Sequence, residues 1–138
     1  MSGLVRVPVR GIEDYIDPFD CPPWGCQPFT RQDVWVAVEG GRLQPEPVEG
    51  DAPWFVHVER IAWFVVHGWD PEVDSIELDV GVPGGWGHDW WPVLDGNHRV
   101  CAAMVRGDEW LDCYLAGSFD ACADLFGVYP DGTAPVLA

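Results

Sequence analysis

Residues 92–108 read PVLDGNHRVCAAMVRGD. A short apolar run ends in Asp95, Gly96, Asn97, His98 and Arg99, and a helical pattern begins at once. The spacing predicts a strand, WPVLD, that turns through Gly96 into a helix. That helix would use Val100, Ala103 and Met104 as its inner face and Gly107 as its stop. A turn of this kind aims the free N–H groups of a first helical turn at whatever lies in front of it, and the helix dipole adds to their preference for an anion. Gly96 would let a ligand approach the backbone closely.

Working outward, SIELDV (75–80) alternates strictly, with Ile76, Leu78 and Val80 on one side and Ser75, Glu77 and Asp79 on the other, as a half-buried strand does. Before it, FVHVERIAWFVVHGWD places Val58, Ile61, Ala62, Val65 and Val66 on one helical face, and Gly68 is suited to end the helix in the left-handed conformation. WLDCYLAG follows as a strand. SFDACADLFG follows that as a short helix between a Ser118 cap and Gly127. LVRVPV (4–9) alternates as a strand that Pro8 pushes to a sheet edge. Between residues 20 and 52 the chain reads as an irregular insertion. DVWVAVEGGRLQPEPVEGD is predicted there as a strand, a Gly40-Gly41 turn, a return strand and a loop. His57 and His67 read as ordinary helix residues. The order of elements from 57 to 127 predicts a single small domain over 1–138, of mixed α/β (α+β) class, with a mixed sheet flanked by helices.

Composition narrows the functions. The 138 residues include 23 acids against seven basic residues, all Arg, for a formal net charge of −16. Such a field repels nucleic-acid backbones and anionic membrane surfaces, so direct DNA binding is disfavoured. With no Lys there is neither a P-loop lysine nor a Schiff-base lysine. No window approaches the length of an apolar membrane span and no signal peptide is evident, so the expectation is a cytoplasmic protein. Five Cys, an odd number, agree with a reducing compartment; Cys21 and Cys26 are the only close pair and lack further metal ligands in a recognisable pattern.

From residue 61 to the end only Arg99 and Arg106 are cationic, among thirteen carboxylates. Arg99 can grip a phosphate or carboxylate bidentately, and Asn97 or His98 can donate to it. Asp95 could hold a metal, accept a proton or orient His98. The plainer reading has Arg99 pairing with Asp95 or a sheet carboxylate as a structural arginine. Glu59 and Arg60 on the preceding helix read most simply as an exposed pair, with a place near the phosphates as the alternative. His88, in the loop carrying Trp86, Trp90 and Trp91, is placed to close over a ligand; the alternative is that those tryptophans merely cover the core.

VLDGNHRVCAAMVRGDEWLDCYLAG, together with HVERIAWFVVHG and SIELDV, resembles the ParB/sulfiredoxin superfamily over residues 57–117. The resemblance implies a ParB/sulfiredoxin-like fold in which Gly96, Asn97, His98 and Arg99 hold nucleotide phosphates, with Asp95 and His98 as catalytic candidates. It also implies Mg2+ with a nucleoside di- or triphosphate, held by Asp95 with help from Asp79 or Glu77. Asn97 stands where sulfiredoxins carry a reactive Cys, which excludes sulfinic-acid repair. Free-serine kinases of the superfamily share the positions of Asp95, Gly96 and Arg99 but have a His where Asn97 stands. Three activities therefore compete: phosphoryl transfer or nucleotide hydrolysis on a small phosphorylated ligand; non-catalytic binding of a basic protein partner by the acidic surface; and, last because a polyanion must approach an acid, nuclease action.

Overall fold

The structure is a computed structural model describing residues 3–81 and 91–136. Its elements fall into two units, 1–16 with 70–96 and 109–138, and 17–69 with 97–108.

The first unit is built on a mixed sheet of four strands. β1 (Val5–Pro8), β2 (Glu77–Asp79), β3 (Val93–Asp95) and β4 (Trp110–Ala116) lie in the order β1-β4-β2-β3. β4 runs antiparallel to β1 and parallel to β2, while β2 and β3 are antiparallel. The predicted alternation is the physical basis of this sheet: Ile76, Leu78 and Val80 are all fully buried, as is Val7 on β1. Pro8, which has no N–H to donate, sits on an edge strand as expected. Across from β1, Asp112 faces Arg6 and accepts from its guanidinium at 3.0 Å. Pairing between β2 and β3 matches Glu77 with Asp95 but Leu78 with Val93, which leaves Leu94 bulged and exposed. α1 (Val9–Glu13) and α5 (Phe119–Phe126) complete the unit. They meet at Gly11, where a Cβ would lie 2.6 Å from the Leu125 carbonyl. Ser118 caps α5 by accepting from the Ala121 N–H, and Gly127 ends it in the left-handed conformation. The fold class is thus the expected mixed α+β.

The second unit is helical. α2 (Arg31–Glu39) corrects the strand and hairpin expected there. Thr30 and Asp33 form a reciprocal capping box that opens the helix. Only Val34 and Ala37 of VWVAV are buried, a helical spacing, whereas Trp35 and Val36 face outward. Gly40-Gly41 is not a hairpin turn but the end of this helix. Gly41 takes φ 68°, and the Gly41 and Arg42 N–H groups bond back to the carbonyls of Val38 and Ala37.

α3 (Trp54–His67) packs against both α2 and α4 (Asn97–Arg106). Its buried face is His57, Val58, Ile61, Ala62 and Phe64; Val65 is half-buried and Val66 exposed, so the stripe is rotated toward the N-terminal side of the one expected. Gly68 ends α3 with φ 67° but ψ −163°, an extended exit rather than a left-handed helical one. Every residue of α4 from Val100 to Val105 is buried. Gly107 closes α4 with the same two-bond motif that ends α2, its N–H on Met104 and that of Asp108 on Ala103. Arg31 adds a bond to the Met104 carbonyl at 2.7 Å.

Candidate functional site

At the end of β3, Asp95 is exposed and pairs across the sheet with Glu77, also exposed. Gly96 follows with φ 92°, and a Cβ there would sit 2.8 Å from Ile76 Cγ1 and 3.1 Å from its Cα. The turn therefore requires glycine twice over, by dihedral and by close approach. Asp79 is half-buried and spends Oδ1 on the Gly81 N–H at 2.8 Å. No group of three or more His, Cys, Asp or Glu side chains able to hold a metal forms among the described residues. The expected set of Asp95, Asp79 and Glu77 is thus not gathered into a three-ligand cage. Cys21 and Cys26 are free thiols and form no such group either.

In the helical unit the first turn of α4 carries Asn97, His98 and Arg99, all half-buried. The Arg99 guanidinium lies 5.5 Å from the centroid of Phe64, and that of Arg60 lies 4.4 Å from the same ring. Each gains from the ring quadrupole, and the two are brought to one aromatic side chain from different helices. Arg60 also donates to the carbonyls of Gln44 and Pro45, at 3.2 and 2.7 Å. Glu59 stands 3.7 Å from Arg42 and accepts the Gln44 N–H on its backbone carbonyl. Glu59 and Arg60 are therefore not a loose exposed pair: they tie segment 42–45 to α3.

His98 has partners that the sequence did not announce. Its Nε2 lies 2.9 Å from Nδ1 of His57, and both rings stack on Trp24. Burial, then the charges of His57, Arg60 and Arg99, hold His98 down at about 3, so its ring is neutral at physiological pH. A neutral imidazole brings no positive charge to this turn, though it can still donate or accept a hydrogen bond. Burial likewise lowers His57, against the opposing pull of the Gly50 and Ala52 carbonyls.

No family model, no curated protein and no solved structure matches this chain. The ParB/sulfiredoxin resemblance stands on the quoted residues alone.

His88, with Trp86 and Trp90, lies outside the described residues; Trp91 is half-buried. Trp24 and His57 are the residues missed by reading the sequence. A lone His on an apolar helical stripe carries no spacing signal for a partner 41 residues away. A Trp in a Pro/Gly-rich loop carries none either. Among the described residues no helix is long and apolar enough to cross a membrane.

Proposed function

We propose that this protein binds a phosphorylated small molecule, a nucleoside di- or triphosphate, at the turn that leaves Asp95 and opens α4, and that it catalyses phosphoryl transfer or hydrolysis there. The reading is supported chiefly by the convergence of Arg60 and Arg99 on Phe64 beside the first turn of a ten-residue helix. Two guanidinium groups near one helix N-terminus suit a multiply charged anion better than a single carboxylate. Their setting agrees with this. Five of the seven Arg lie in the helical unit, against nine carboxylates, for a net of −4; the sheet unit carries fourteen carboxylates and two Arg, a net of −12.

In this reading Gly96 and the N–H groups of α4 cradle the phosphate and Arg99 grips it. Asp95, at the end of β3, would be the carboxylate that does proton or metal work. Magnesium would arrive with the nucleotide, since this ion is commonly held by one or two carboxylates plus substrate phosphates. The ParB/sulfiredoxin relationship belongs to the same proposal. A thermal-shift panel of adenine, cytosine, guanine and uracil nucleotides, with and without magnesium, tests it on wild type and Arg99→Ala. Stabilisation of the wild type that the variant loses is the expected result. No shift with any nucleotide would overturn the reading.

The net −12 of the sheet unit favours a second reading, in which the protein serves as an acidic surface for a basic partner. Partner capture would then weaken with salt and survive Arg99→Ala, the opposite pattern to nucleotide binding.

A further inference from the structure

The sheet unit carries a groove of about 750 Å³ between α5 and the segment that follows it. Most of its lining is small or apolar: Ala123, Gly127, Ala134 and Pro135, with the ring of Tyr129. The side opposite α5 is held by its own bonds. The Tyr129 N–H donates to the Thr133 carbonyl at 2.8 Å, and the Gly132 N–H to the Tyr129 carbonyl at 2.9 Å. Asp131 accepts from the N–H and the hydroxyl of Thr133, at 2.9 and 2.6 Å. Phe119 stacks on Tyr129 with ring centroids 5.4 Å apart and planes 25° from parallel, and is itself half exposed. The groove is therefore preformed.

Two carboxylates complete the lining, Asp120 and Asp124. They are four residues apart on α5, so they share one side of the helix, and both are exposed. Neither has a hydrogen-bond or ion-pair partner among the described residues. Like charges at this spacing repel, and a cation placed between them would relieve both. The chain supplies none nearby in sequence: residues 107–138 contain six Asp or Glu and no Lys, Arg or His.

These features select the occupant. Anionic ligands are repelled, and a second copy of the chain brings the same −16. An ammonium is a compact, strongly hydrated charge that gains little from an apolar hollow. A guanidinium is planar, stacks on an aromatic ring and meets carboxylates as a fork. The volume falls within the roughly 300–1,000 Å³ of ligand pockets and exceeds what one side chain fills, so flanking residues enter as well. We infer that this groove receives an arginine side chain, with its neighbours, from a basic segment of a partner protein. Asp120 and Asp124 hold the guanidinium and Tyr129 packs against it. The inference rests on the acidic-surface reading above and narrows it from a whole unit to one groove.

Titration of the 15N-labelled full chain with a blocked pentapeptide, Gly-Gly-Arg-Gly-Gly, and with its lysine counterpart tests this at low salt, where surface charges are least screened. Amide shifts should centre on Ala123, Asp124, Gly127 and Tyr129, and the lysine peptide, of equal charge, should bind several-fold more weakly. Asp120→Asn with Asp124→Asn should lower affinity for the arginine peptide by about tenfold, whereas Glu72→Gln with Asp74→Asn, which removes equal charge elsewhere in the unit, should change it by less than about twofold. All four positions are exposed, so these near-isosteric changes leave the fold in place. Tyr129→Leu keeps the groove apolar and should erase the preference for arginine. Shifts scattered over the sheet unit and lost equally in both double variants would overturn the groove and leave the acidic-surface reading standing. No binding of either peptide to wild type would sink both. Equal affinity for the two peptides would overturn the arginine assignment. Ethylguanidinium binding as tightly as the arginine peptide would overturn the protein partner, because the flanking residues would then contribute nothing.

Discussion

At the scale of single residues, two glycines bracket α4 and make different demands. Gly96 and Gly107 both have positive φ, 92° and 74°. A Cβ on Gly96 would collide with Ile76 at 2.8 Å, whereas one on Gly107 would meet nothing within 4 Å. Gly107→Ala should therefore cost only the left-handed strain, about 1–2 kcal/mol. Gly96→Ala adds overpacking worth about 1–3 kcal/mol more. Urea unfolding of the two variants should rank them in that order, and equal losses would contradict the close packing of the turn. His98 gives a second residue-scale prediction. Its folded-state pKa, about 3, lies below its ordinary unfolded value near about 6.5, so between these the unfolded chain binds the extra proton. Stability from the neutral ring is complete above about pH 6.5 and falls as pH drops, by up to about 1.4 kcal/mol per pH unit for this one group. His57 shifts in the same direction. Comparing wild type with His98→Gln between pH 7 and 5 should show a shallower slope in the variant; parallel curves would mean the ring is not held neutral.

At the scale of elements, what the sequence disclosed tracks how local each signal is. β2 was legible because burial on one face imposes period two on three neighbouring residues, Ile76, Leu78 and Val80. α5 was legible because its cap Ser118 and its stop Gly127 lie in the chain beside it. α2 was misread because VWVAV satisfies a strand template as well as a helical one, and apolar residues at every position cannot choose between them. The deciding signal was polar and lay just upstream, in Thr30 and Asp33. The turn from Asp95 to Arg99 was visible for the same local reason, while Trp24 and His57 reach His98 only through tertiary packing. If the capping box selects the helix, Thr30→Ala should destabilise the fold by about 1 kcal/mol. Adding Asp33→Ala should cost less than the sum of the single losses, because the two side chains bond reciprocally. Denaturant titration of the two single variants and the double variant measures this, and strict additivity would refute the coupling.

At the scale of the whole molecule, charge is the dominant unbalanced quantity. The sheet unit bears fourteen carboxylates against Arg6 and Arg10, and Arg6 is already engaged with Asp112. Repulsion among like charges favours the expanded chain, because unfolding moves those charges apart. Screening shortens its reach from about 30 Å at 0.01 M salt to about 3 Å at 1 M. Attractive pairs lose strength over the same range, but seven Arg cannot neutralise 23 acids and surface pairs contribute little. Repulsion should therefore win, and the melting temperature at pH 7 should rise as sodium chloride is raised from about 0.01 to 0.5 M. Hydrogen exchange can locate the gain: slowing should be larger for amides of β2 and β4 than for those of α3 and α4, since the helical unit carries only −4. The nucleotide response should run the other way and weaken over the same salt range, because it depends on Arg99 and Arg60 attracting an anion. A melting temperature that falls with salt would mean that attractive pairs outweigh the excess of carboxylates. The −12 of the sheet unit would then no longer favour an acidic docking surface.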